Sequence, residues 1–127
     1  MKLRMKENSI RLRLVRSELV RLQSGESIHE IVRFGLEPSQ ALHYALSVAA
    51  QPEPVSVAFQ SSQISVTLSP DQLRSWAEES QVGIYASLAI DHTTTLEVSI
   101  EKDFACLDRS DEDNADTFAN PLAGTIC

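Results

Sequence analysis

Apolar and polar residues alternate strictly over positions 2–6 and again over 10–14, and the same pattern returns 54 residues later, where Ile64 falls on Ile10 and Leu68 on Leu14. Alternation with period two is the mark of a strand with one buried face. Lys2, Arg4 and Lys6 fall on one side and Leu3 and Met5 on the other. Glu7, Asn8 and Ser9 supply turn chemistry, and Ile10, Leu12 and Leu14 then alternate with Arg11 and Arg13, which completes a hairpin. Ser17 is placed to cap a short helix that turns Leu19 and Leu22 inward and stops at Gly25. Residues 28–34 and 42–48 read as two further strands around a turn at 35–39, followed by a proline-flanked joint at 51–54.

The second copy keeps this order. Val57 and Phe59 replace Leu3 and Met5, Ser61 and Ser62 replace the turn, and Ser69 with Pro70 opens a helix carrying Leu73 and Trp76. Continued without a gap, the offset sets Val82, Ala86 and Leu88 on Ile28, Val32 and Phe34, with Glu30 against Ile84 as one break in the inward row. The predicted fold is α+β: two ββαββ halves, 2–48 and 56–102, forming a mostly antiparallel eight-stranded sheet or a partly closed barrel with both helices on one face. A single domain spanning 1–127, with an acidic segment from 103 to 127, is the expected organisation.

Charge is unevenly placed. Residues 1–33 hold eight of the eleven Lys and Arg against four of the eighteen acids, a local +4 within a net charge of −7. So acidic a chain disfavours nonspecific nucleic-acid binding while leaving room for a local anion site. No apolar run is long enough to span a bilayer, and arginines interrupt every candidate signal segment, so the chain reads as cytoplasmic with no membrane partner. Two cysteines, Cys106 and the terminal Cys127, argue against a disulfide framework.

Five cations, Lys2, Arg4, Lys6, Arg11 and Arg13, share one face of the first hairpin, and Arg33 joins the same polar side. Neighbouring strands lie about 4.8 Å apart, so these charges repel one another. Two answers follow: the acidic tail docks on a solvated face, or the six residues hold an anion, a phosphate-bearing ligand or an acidic protein. His29 and His43 fall on adjacent predicted strands without a third soft ligand and read as surface histidines. Cys106, between Ala105 and Leu107, reads as a small core thiol. Asp108, Asp111, Asp113 and Asp116 lack the spacing and turn glycine of a calcium loop, and no glycine-rich phosphate loop is present.

The opening Lys-Leu-Arg-Met-Lys-Glu-Asn-Ser-Ile-Arg-Leu-Arg-Leu at 2–14 is one signature. The second is the ending Glu-Lys-Asp-Phe-Ala-Cys-Leu at 101–107, followed by acids and by Phe118, Asn120 and Pro121, with Phe104, Leu107 and Phe118 as anchors. With these two signatures the chain resembles an uncharacterised bacterial family of small proteins, which implies a bacterial source and no particular activity. Phe118-Ala119 stands where that pattern has a second proline. A duplicated barrel with a charged lumen also looks like the triphosphate tunnel metalloenzymes, a likeness that would make Glu97 and Glu101 ligands of Mg²⁺. Their Glu-x-Glu-x-Lys signature is missing here, since the strand reads Glu97-Val98-Ser99-Ile100-Glu101-Lys102. The expected role is therefore a binding or interaction module without catalysis or a bound cofactor, and the alternative is a polyphosphate-binding barrel. An open sheet edge would also permit a homodimer.

Overall fold

A computed structural model describes residues 1–104 and 116–119. Among them are eight strands and two helices in the order β1 (Lys2–Lys6), β2 (Ser9–Leu14), α1 (Arg16–Gln23), β3 (Ile28–Arg33), β4 (Ala41–Val48), β5 (Val55–Gln60), β6 (Gln63–Leu68), α2 (Pro70–Ala77), β7 (Gly83–Ala89) and β8 (Thr95–Lys102). The elements match the sequence reading, but their pairing does not. Instead of one eight-stranded sheet or a barrel there are two four-stranded mixed sheets, β1-β2-β8-β7 and β3-β4-β6-β5. Each sheet takes one hairpin from each half of the sequence. The two hairpins join through a parallel central pair, β2 with β8 and β4 with β6. The chain divides accordingly into two compact units, one of Met1 and Arg21–Gln81 and the other of Lys2–Val20 and Val82–Cys127.

The register repeats as the sequence does, up to a point. Lys2 lies opposite Arg13 as Ser56 lies opposite Thr67, and Ser9 lies beside Glu97 as Gln63 lies beside His43, all at an offset of 54. The outer strand of the second hairpin departs from it. Ile28 faces Leu46, whereas Ile84, not Val82, faces Ile100, so β7 is shifted by two residues and its offset is 56. The turn absorbs the difference, because residues 34–40 join β3 to β4 while only 90–94 join β7 to β8. Asp91 makes the shorter turn workable. Its Oδ1 accepts the amides of Thr93 at 2.9 Å and Thr94 at 2.7 Å, which holds the carboxyl below the usual range. With the shift applied, buried Ile84 takes the place of buried Ile28, and Glu30, still the charged residue in the inward row, falls on Ala86 instead of Ile84.

Core burial follows the alternation. Ile10, Leu12 and Leu14 on β2, Val98 and Ile100 on β8 and Ile84 on β7 are buried on one face of the first sheet. Leu46, Val55, Ile64, Val66 and Leu68 do the same in the second. Each helix buries two apolar residues, Leu19 and Leu22 in α1 and Leu73 and Trp76 in α2, and α1 buries Glu18 as well. Hairpin turns pass through left-handed φ at Glu7 (53°), Ser61 (51°) and Ser62 (60°), a region that side chains other than Gly, Asn and Asp seldom adopt.

Helix starts are where the two halves differ chemically. In α2, Ser69 is the cap: its hydroxyl accepts the Gln72 amide at 3.2 Å, and Pro70 follows. The equivalent position before α1 is Val15, which has no acceptor, so Ser17 lies inside the first turn rather than capping it. Glu18 and Asp116 make up the deficit. The Glu18 carboxylate accepts the Val15 amide at 3.0 Å, and Asp116 accepts the Ser17 amide at 2.9 Å, the Ser17 hydroxyl, and through its carbonyl the Arg16 amide at 3.1 Å. Phe118 anchors this segment, its amide bonded to the Asp103 carbonyl at 3.0 Å and its ring edge-on to Phe104 at 6.0 Å. Asp116→Ala is therefore expected to cost about 0.5–2 kcal/mol in urea unfolding, as loss of an N-cap does. An unchanged midpoint would show that this carboxylate does not stabilise α1.

Candidate functional site

Three cross-strand rows make up the polar face of the β1-β2-β8-β7 sheet, and the register sets their members. They run Lys2–Arg13–Glu101–Gly83, then Arg4–Arg11–Ser99–Tyr85, then Lys6–Ser9–Glu97–Ser87. Parallel pairing of β2 with β8 thus lays the basic hairpin beside two glutamates distant in sequence. Glu101, largely buried, belongs to the first row but faces one arginine of that row and one of the next. Its Oε1 lies 3.1 Å from Nε of Arg11 and 3.6 Å from Nε of Arg13. Neither contact is an aligned hydrogen bond, so the attraction there is coulombic. Oε2 accepts the Tyr85 hydroxyl at 2.7 Å.

The Tyr85 ring is exposed, but its hydroxyl end is tucked against the carboxylate. Partial burial of that group, then the bond to Glu101, pushes its pKa above the ordinary phenol value. Gly83 leaves the space this needs: a Cβ there would sit 2.8 Å from the Tyr85 hydroxyl and 3.0 Å from Cγ of Glu101. Glu97 is held in the third row by the Ser87 hydroxyl at 2.6 Å and the Thr95 hydroxyl at 3.2 Å. Lys2 pairs with buried Asp103 at 3.1 Å.

The middle row has no carboxylate. Arg4 stands directly opposite Arg11, an arrangement of like charges that destabilises a sheet. Around that row is a shallow hollow of about 190 Å³ lined by Arg4, Lys6, Ser9, Ile10, Arg11 and Ser99. A second hollow of about 240 Å³ lies among Lys2, Leu3, Arg4, Arg11 and Arg13. Arg4 and Lys6 have no acidic partner among the described residues.

Five of the six cations singled out in the sequence therefore share one face. Arg33 does not, because it ends β3 in the other sheet. Glu97 and Glu101 lie on that face too, but four residues apart on one strand they are about 13 Å from each other along it. Four strands in a sheet with open edges form no tunnel, so the closed barrel behind the metalloenzyme likeness is absent. Among the described residues no group of three or more His, Cys, Asp or Glu is arranged to hold a metal ion. No helix among them is long and apolar enough to cross a membrane. Cys106 and the acids at 108–113 lie outside the described residues. Sequence reasoning does not single out Ser9 and Ser99 as site residues, since only the β2–β8 pairing brings them together.

A raised Tyr85 pKa stabilises the fold in full below pH about 10, and that contribution is lost as pH rises through the raised value. The stability of the native chain should therefore fall more steeply above pH 10 than that of Tyr85→Phe. Gly83→Ala should displace the hydroxyl, cost about 1–3 kcal/mol and bring the Tyr85 phenolate absorbance step back toward the ordinary pH. Matching curves for the native chain and Tyr85→Phe would show that the bond to Glu101 does not hold the phenol.

No curated protein and no solved structure matches this chain. Residues 1–122 match the model of a family of unknown function (DUF7009), and the chain belongs to that family.

Proposed function

We propose that the chain is a non-enzymatic binding module whose basic hairpin holds a small phosphate-bearing ligand over the middle row of this face. The carrying observation is Arg4 opposite Arg11, which shares Glu101 with Arg13, next to Lys6; Arg4 and Lys6 have no acidic partner among the described residues. Two arginines offer the paired N–H groups that suit a tetrahedral oxyanion, and the Ser9 and Ser99 hydroxyls add neutral donors. The hollow is smaller than the roughly 300–1,000 Å³ of drug-sized sites, which favours a compact anion over a large organic ligand. Lys2, held by Asp103, and Arg13, beside Glu101 in the neighbouring row, set the field, while Arg11 contacts Glu101 through Nε and offers its terminal N–H groups.

Thermal shift with inorganic phosphate, tripolyphosphate and nucleotides, without added metal, tests this reading. At about 100 times its dissociation constant a ligand stabilises the native chain by roughly 2.7 kcal/mol. The stabilisation should weaken with salt and vanish in Arg4→Ala/Lys6→Ala, a variant that breaks no ion pair to a described residue. No shift with any of these anions, or a shift that survives the double substitution, rejects the site.

A further inference from the structure

The polar face of the other sheet has a different composition. Its rows hold His29, Ala45, Ser65 and Ala58, then Ile31, His43, Gln63 and Gln60, with no carboxylate on that face among the described residues. His29 on β3 and His43 on β4 are diagonal neighbours across an antiparallel pair. Their rings stack with centroids 5.4 Å apart and planes 19° from parallel, and Nδ1 of His43 lies 3.3 Å from Nε2 of His29. One of these nitrogens donates to the other, so the second presents its lone pair.

We propose that His29 and His43 form a two-imidazole site for a borderline divalent transition metal, Cu²⁺ before Ni²⁺ or Zn²⁺. Metal–nitrogen bonds of about 2.0–2.1 Å place two ligand nitrogens about 3.3–3.4 Å apart at the tetrahedral angle of Zn²⁺ and about 2.8–3.0 Å apart at the square-planar angle of Cu²⁺, so the present 3.3 Å fits the first directly and the second once ring rotation brings the nitrogens about 0.4 Å closer. Binding needs only a rotation of the rings to bring both lone pairs onto one point. The proton shared between the two nitrogens moves to the outer nitrogen of the ring that carried it, so both inner nitrogens offer a lone pair to the metal. Imidazole suits these metals, and their affinities follow the order Ni²⁺ below Cu²⁺ with Zn²⁺ weaker than Cu²⁺. Arg33 is the one charged side chain on the face among the described residues, and water or an external donor fills the remaining coordination positions. This site is independent of the anion site.

The test is Cu²⁺ titration of the full chain with Cys106 and Cys127 replaced by Ser, which removes the competing thiols. Electron paramagnetic resonance reads the ligands, and calorimetry with Ni²⁺ and Zn²⁺ reads the stoichiometry. One equivalent with coupling to two nitrogens is expected, lost in both His29→Ala and His43→Ala and retained in His92→Ala, the third histidine of the chain. Binding of equal strength in all three variants, or a single-nitrogen signal, overturns the proposal. So does the absence of binding from a chain whose circular dichroism is native.

Discussion

The parallel pairing at the centre of each sheet is the constraint on which the rest of this structure depends. A hairpin alone is marginal, and each of the four hairpins here gains a sheet only by pairing with a hairpin from the opposite half of the sequence. The two joints differ in reach. His43 and Gln63 are 20 residues apart, whereas Ser9 and Glu97 are 88 apart. On loop-closure entropy, with the cost growing as (3/2)RT ln n, the longer closure costs about 1.3 kcal/mol more. Asp116 and Phe118, bonded at the start of α1 and at the residue after β8, add contacts to the longer closure.

That joint also creates the electrostatics of the polar face. On the hairpin alone, five like charges would destabilise their own strands. Glu101 beside Arg11 and Arg13, and Asp103 beside Lys2, offset three of them, each exposed pair contributing under about 1 kcal/mol. These carboxylates come from β8 and the residue after it. Compensation is unequal across the rows, and the excess positive charge concentrates where Ser99 lies between Glu97 and Glu101.

Much of the element inventory is legible in the sequence because it is written in local periodicity: eight alternating stretches, two helices and the Ser69-Pro70 start. Pairing is not. Alternation shows which face of a strand is buried but not which strand lies beside it, and an eight-stranded sheet and two four-stranded ones need the same inward rows. Of the six cations singled out in the sequence, five share the basic face. Arg33 is misplaced because sidedness is read across a sheet that is in fact two. The two glutamates are legible as members of the polar side, but the sequence points to the tail for the offsetting charge, since only the β2–β8 register places Arg11 beside Ser99 and Arg13 beside Glu101. The gapless repeat fails at β7 because a turn shortened by two residues shifts a strand by a full side-chain period and keeps its face, so the alternation stays intact.

Comparison of the two sheets separates what the fold requires from what it does not. At equivalent positions Arg11 and Arg13 correspond to Ser65 and Thr67, Glu97 and Glu101 to His43 and Ser47, and Tyr85, by the shifted offset, to His29. The β3-β4-β6-β5 sheet forms the same ladders with no acidic, Lys or Arg side chain at any of these five positions. Folding therefore does not demand the charges on the β1-β2-β8-β7 face, and Arg4 opposite Arg11 works against it. The β1-β2-β8-β7 sheet therefore carries a repulsion that its counterpart does without. The hollow around that row sets two guanidiniums and the Lys6 ammonium beside the Ser9 and Ser99 hydroxyls, the donors on which the proposed oxyanion site rests.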